Sequence, residues 1–291
     1  MNKQTATVLA LTVLLGACAP TQPPIARAAT ALETQLANAS DLSPLNNEFD
    51  SSIGNLTWLD SAGVTGPAVK DSWLSVRSNE RTPVWYSDTS GAMLYAYVSG
   101  DFMVETKVTS NQRSDLKKQS DSRYTSAGLI VRDPASTAGK MRWMVFNVGS
   151  QDGFFGTEIK TTRDAPGGFS LDALTGNASS STWFSNRIEG SSNEAKLRIC
   201  RVGPELRFFL MPAGKSTWSE EALTSSTVRA GIEGDIPGLN ANGPMRFQRA
   251  DLPATLQVGL MANDIGNAAT GEARFDYLRF SRISNFENCS K

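Results

Sequence analysis

DFMVETKVT (101–109), SAGLIVRDP (126–134), MRWMVFNVG (141–149) and GFFGTEIKTT (153–162) alternate apolar and polar residues through the middle of the chain. Period-two alternation belongs to a strand with one face on a core. Phe102, Val104, Thr106 and Val108 therefore point one way, and Met103, Glu105, Lys107 and Thr109 the other. Similarly Met144, Phe146 and Val148 turn inward, while Trp143, Val145 and Asn147 take the opposite face. Glu158 and Lys160 oppose Ile159, and either Arg132 or Asp133 looks away from the core.

Outward from this block the pattern repeats. WLSVRS (73–78) and AMLYAYV (92–98) alternate, with Leu94 inward and Tyr95 and Tyr97 outward. LRICRV and ELRFFLMP form a hairpin turned at Gly203-Pro204. TLQVGLMAN (255–263) alternates cleanly, whereas ARFDYLRFSRI (273–283) brings Phe275 and Leu278 to one face only through a bulge. GVTGP (63–67) reads as a turn, 110–125 as a polar loop, and 213–251 as the longest connection; Trp183 and Trp218 read as core. About ten short strands separated by turn signals predict an all-β fold, a two-sheet antiparallel β-sandwich.

Composition narrows the function. Twenty-eight Lys and Arg against 29 Asp and Glu give a net charge of -1, which offers nothing to nucleic acid. Histidine is absent. Imidazole bases, His-activated nucleophiles and His-ligated zinc are thereby excluded, leaving carboxylates, Lys, Tyr, Arg or a hard cation for any chemistry. Cys200 and Cys289 are candidates for one disulfide in an oxidising compartment, the alternative being two free thiols.

The chain opens with Lys3, an apolar run from Thr5 to Leu15, and Leu15-Gly16-Ala17-Cys18. The run is too short to span a bilayer. This ending resembles the lipobox of bacterial lipoproteins. That resemblance implies a signal peptide over 1–17, lipid on Cys18, and, with Ala19 following, sorting to the outer membrane of a Gram-negative envelope. Residues 18–45, mixed in Pro, Ala, Thr, Gln and Ser, read as a flexible tether, and 46–291 as the sandwich.

GDFMVETKV, YTSAGLIVRD, RWMVFNVG, LRICRVGPELRFFL, LQVGLMAN and ARFDYLRF follow in an order that resembles the concanavalin A-like lectin/glucanase superfamily. More narrowly the order is similar to the group holding the "regulation of enolase" protein and the C-terminal module of some β-xylosidases. The resemblance implies a jelly roll whose sugars, where bound, lie on the concave face or its rim. The Glu-x-Asp-x-x-Glu strand of the glucanases is absent. The resemblance also leaves room for one structural calcium ion where first and last strands meet, with Glu48, Asp50 and Asp276 as candidate ligands.

If the central strands share a sheet, its non-core face carries Tyr95, Tyr97, Arg132, Trp143, Asn147 and Glu158. Rings beside amide, guanidinium and carboxylate groups suit a polysaccharide or other glycan: C–H faces stack and hydroxyls find partners. Three readings follow. The first is a lipid-anchored module that binds carbohydrate or another surface ligand. The second is a carbohydrate-active enzyme using a carboxylate pair, Asp152 or Asp133 with Glu158. The third is a structural envelope protein with a protein partner.

Overall fold

In the computed structural model the residues described are 27–59, 64–78, 85, 91–118, 120, 124–137, 140–151, 154–163, 179–185, 194–223, 228–230, 243–265 and 270–291. Cys18 and Asp152 lie outside them. A helix α1 (Ala31–Ala37) precedes strands β1 (Thr57–Leu59), β2 (Val64–Lys70), β3 (Trp73–Ser78), β4 (Ala92–Ser99), β5 (Phe102–Gln112) and β6 (Tyr124–Arg132). Then come β7 (Arg142–Gln151), β8 (Phe154–Arg163), β9 (Ser179–Ser185), β10 (Glu194–Val202) and β11 (Glu205–Pro212). Short strands β12 (Ser219–Glu220), β13 (Ala222–Leu223), β14 (Val228–Ala230), β15 (Gly243–Pro244) and β16 (Arg246–Gln248) lead to β17 (Thr255–Ile265) and β18 (Gly271–Ser281).

The first sheet runs β1-β4-β17-β6-β7-β8-β9-β14, and the second β12-β11-β10-β5-β18-β3-β2, with β16 also on β11. All pairings are antiparallel, so the fold is the expected two-sheet antiparallel β-sandwich. Between the sheets lies the main core, where Leu94, Leu129, Phe146 and Ile159 of the first meet Val104, Leu197, Phe208 and Phe280 of the second. Each such side chain, fully buried, contributes about 1.5–3 kcal/mol. The inward residues are those that the alternation assigns.

Local chemistry explains the joints. Gly203 and Pro204 form a two-residue hairpin loop in which Gly203 takes φ +58°, a conformation only glycine adopts freely. The bulge in β18 falls between Phe275 and Tyr277, and it lets both Phe275 and Leu278 face the core.

Several expectations need correction. Val64–Pro67 of GVTGP are strand, not turn: β2 runs through them with a register shift between Thr65 and Ala68, and Gly63 lies outside the described residues. The stretch 213–251 supplies short paired strands, and Arg249, fully buried, hydrogen-bonds the Thr161 hydroxyl and the Thr162 carbonyl. Trp218 is outside the main core. It packs beside the bonded Cys200–Cys289 pair under the Arg198 guanidinium, 3.9 Å from its ring centre. The side chain of Trp183 is not among those described.

The largest correction concerns the tether, because residues 27–45 are docked. Thr30 and Glu33 form a reciprocal capping box on α1. Ala37 is buried against the outer face of the first sheet, and Leu42 and Leu45 enter the main core. Arg282 donates to the carbonyls of Ala37 and Ala39, and the Tyr97 hydroxyl to the carbonyl of Arg27. The described sandwich thus begins at Arg27 rather than Asn46.

Candidate functional site

Register settles which side chains share a face. Tyr97, Gln257, Arg132, Trp143 and Thr162 lie in one row across β4, β17, β6, β7 and β8. The next row holds Tyr95, Gly259, Ile130, Val145 and Lys160, and the next Met93, Met261, Gly128, Asn147 and Glu158. Tyr95, Tyr97, Arg132, Trp143, Asn147 and Glu158 therefore do share the outer face of the first sheet. That face divides into two parts with different chemistry.

The aromatic part is a second core, not an open groove. Trp85 stands edge-on to Trp143 at 5.9 Å, and Tyr95 edge-on to Tyr97 at 5.5 Å, with Ala37, Leu59, Ile130, Met141 and Val145 packed among them. Arg132 is buried too. It donates to Gln257 and, at 2.9 Å, to the Ser136 carbonyl. Gln257 passes the chain on to the Tyr97 hydroxyl at 3.3 Å. Burial pulls the Arg132 guanidinium below its usual pKa and pushes the Tyr95 hydroxyl well above its own. These side chains pack the sheet against α1 and Trp85, which corrects their reading as exposed ligand contacts.

The polar part lies further along. Glu158 Oε2 accepts from the Tyr124 hydroxyl at 2.7 Å and from Asn147 Nδ2 at 3.0 Å. Lys160 Nζ is 3.6 Å from Glu158 Oε1 and sits over the Tyr124 ring. The Tyr124 oxygen accepts in turn from Ser126 at 3.1 Å and from Asn263 at 3.4 Å, and Asn263 Oδ1 receives the Trp85 backbone N–H. Burial, and then the charge of Glu158, raise the Tyr124 pKa well above its ordinary value, so the hydroxyl remains a donor.

Asn147 and Glu158 are both 0% exposed, yet Asn147 Oδ1 and Glu158 Oε1 have no hydrogen-bond partner among the described residues. A buried acceptor left unpaired costs about 1–3 kcal/mol. The floor beneath them is tight. A Cβ on Gly128 would meet the Phe146 carbonyl oxygen at 2.2 Å, and one on Gly149 the Thr125 oxygen at 2.0 Å. Only glycine lets the strands close up here.

Tyr124, Ser126, Lys160 and Asn263 are absent from the expected set. The alternation that selects Arg132 also selects Tyr124 and Ser126 along β6. They fall in a stretch that reads as loop at its start.

Of the three candidate calcium ligands, two are in ion pairs. Glu48 holds Arg279 in a two-pronged pair at 2.7 and 2.8 Å, Asp276 pairs with Lys107 at 3.2 Å, and Asp50 is exposed. Among the described residues no group of three or more potential ligands gathers.

The carboxylate pair Asp133 and Glu158 also fails. Gly128 lies in the row of Glu158, and Asp133 follows five residues on. At strand rise that is about 17 Å, against roughly 5–10 Å for a glycosidase pair. Asp133 instead pairs with Arg142 at 2.8 Å.

No family model and no curated protein matches the chain. Solved structures do. A functionally unknown protein from Saccharomyces cerevisiae superposes with TM-score 0.50 at 15% identity, over 79% of this chain and 97% of that one. The GH43 protein BlXynB from Bacillus licheniformis matches with TM-score 0.50 at 14% identity, and a mutant of it with 0.51 at 11%. In both cases 82% of this chain is covered. The likeness spans 39% of the GH43 chains. At these identities it is the fold that is shared.

Proposed function

We propose that the chain is an envelope lipoprotein, anchored through Cys18, whose sandwich binds carbohydrate at the polar part of the first sheet's outer face. The observation that carries the binding reading is a pair of buried acceptors, Asn147 Oδ1 and Glu158 Oε1, that receive no hydrogen bond among the described residues, the second having only the Lys160 ion pair at 3.6 Å. Sugar hydroxyls are neutral donors that satisfy such acceptors without burying a new charge. The fold shared with the GH43 structures supports the same direction. For the anchor, support comes from the lipobox resemblance at 15–18 and from the Cys200–Cys289 disulfide, which suits an oxidising compartment.

A sugar that reaches these atoms displaces what covers them. Association is accordingly expected to fall below the usual ~10⁵–10⁷ M⁻¹s⁻¹. The test is a glycan array on a soluble form starting at Ala19, followed by calorimetry on the best ligand. Asn147→Ala and Glu158→Gln are each expected to weaken binding by about tenfold or more, the equivalent of one lost hydrogen bond to a charged or buried group. A melting curve verifies that each variant folds. Binding unchanged in both folded variants would refute the site.

A further inference from the structure

We infer that the α1 edge of the sandwich is a membrane-facing surface, held against a lipid bilayer. The inference rests on the proposed anchor at Cys18 and goes beyond it to orientation. A free tether over 18–45 would let the domain stand off by up to about 95 Å. The docking of 27–45 removes that reach. Arg27 closes on Glu33 at 2.5 and 2.7 Å, Glu33 accepts from the Thr57 hydroxyl at 2.8 Å, and Tyr97 holds the Arg27 carbonyl at 2.7 Å. Arg282, reaching from beyond β18, grips the carbonyls of Ala37 and Ala39.

Only residues 19–26 then separate the lipid from a docked residue, and a chain of that length spans at most about 30 Å. The surface at the end of this leash suits a bilayer. Ala31, Leu32, Thr34 and Gln35 are exposed on α1 and carry no charge, while the nearby Arg27 and Glu33 neutralise each other. Leu32, 57% exposed, is the most exposed large apolar side chain among the described residues. A short leash raises the effective concentration of this edge at the headgroups, so a weak apolar contact suffices to orient the domain. Lys215 stands exposed in the turn between β11 and β12, at the end of the second sheet that faces β7 rather than the β4 side where α1 packs, and in this orientation it points away.

The test uses the full lipidated chain in vesicles of phosphatidylethanolamine and phosphatidylglycerol bearing an energy-transfer acceptor on a headgroup. With Cys18 acylated and Cys200 bonded to Cys289, a donor dye on Leu32→Cys or Lys215→Cys occupies the sole free thiol. Strong transfer from residue 32 and weak transfer from residue 215 is expected. Equal transfer from both positions in anchored protein overturns the inference and leaves the anchor standing. Failure to incorporate labelled palmitate at Cys18 overturns the anchor itself, and with it this orientation.

Discussion

Glu33 shows how much one carboxylate carries. Hydrogen bonding from Arg27, foremost, and from Thr30 and Thr57 lowers its pKa from 4.5 to about 2. A group depressed in the folded state stabilises above its ordinary pKa, and the contribution fades as pH falls toward the folded value. Glu33→Gln is therefore expected to speed hydrogen exchange across 31–37 at pH 7. The difference from wild type should shrink as pH falls below about 4.5 and vanish only below the folded value, near pH 1. A gap that does not shrink between pH 4 and pH 1 would mean that packing, not charge, holds the strap. Asp71 and Ser72 illustrate the opposite case, a local misfit. They form the two-residue turn between β2 and β3 with φ of +54° and +55°, a region where a Cβ costs about 1–2 kcal/mol. Ser72→Gly is expected to raise stability by about 0.5–1 kcal/mol, seen as a higher urea midpoint at unchanged slope.

At the scale of elements, the disulfide closes the longest loop for which a cross-link is present. Cys200 and Cys289 are 89 residues apart, so the bond removes about 4–5 kcal/mol of unfolded-chain entropy on a loop-closure estimate. The double variant Cys200→Ser, Cys289→Ser should show a correspondingly lower urea midpoint, and a reductant should do the same to wild type but nothing to the variant. The strands themselves are largely legible in the sequence. Once β6, β7 and β8 pair, period two leaves no freedom about which residues share a face, and Trp143, Asn147 and Glu158 fall together as the alternation requires. What covers that face is not legible. Ala37 reaches it from α1, far away in sequence, and Arg282 locks α1 from 245 residues downstream of Ala37. The capping box Thr30–Glu33 is written plainly in the tether. A seven-residue helix with one buried alanine nonetheless gives too weak a periodic signal to announce docking.

For the molecule as a whole, the sandwich combines a conventional core between its sheets with a second packed layer on one outer face. That second layer converts the expected open aromatic groove into structure and leaves Asn147, Glu158, Tyr124 and Lys160 as the polar part of the face. The strap from Arg27 packs into this layer through Tyr97 and α1, so under the proposed anchoring the position on the membrane would be coupled to the integrity of the face. The most direct measurement of the central claim is calorimetric titration of the soluble form with the best ligand from a glycan array, run on wild type, Asn147→Ala and Glu158→Gln. Saturable binding in wild type, lost by about tenfold or more in both folded variants, is the expected result. Absence of binding across the array, or full affinity in either folded variant, would contradict it.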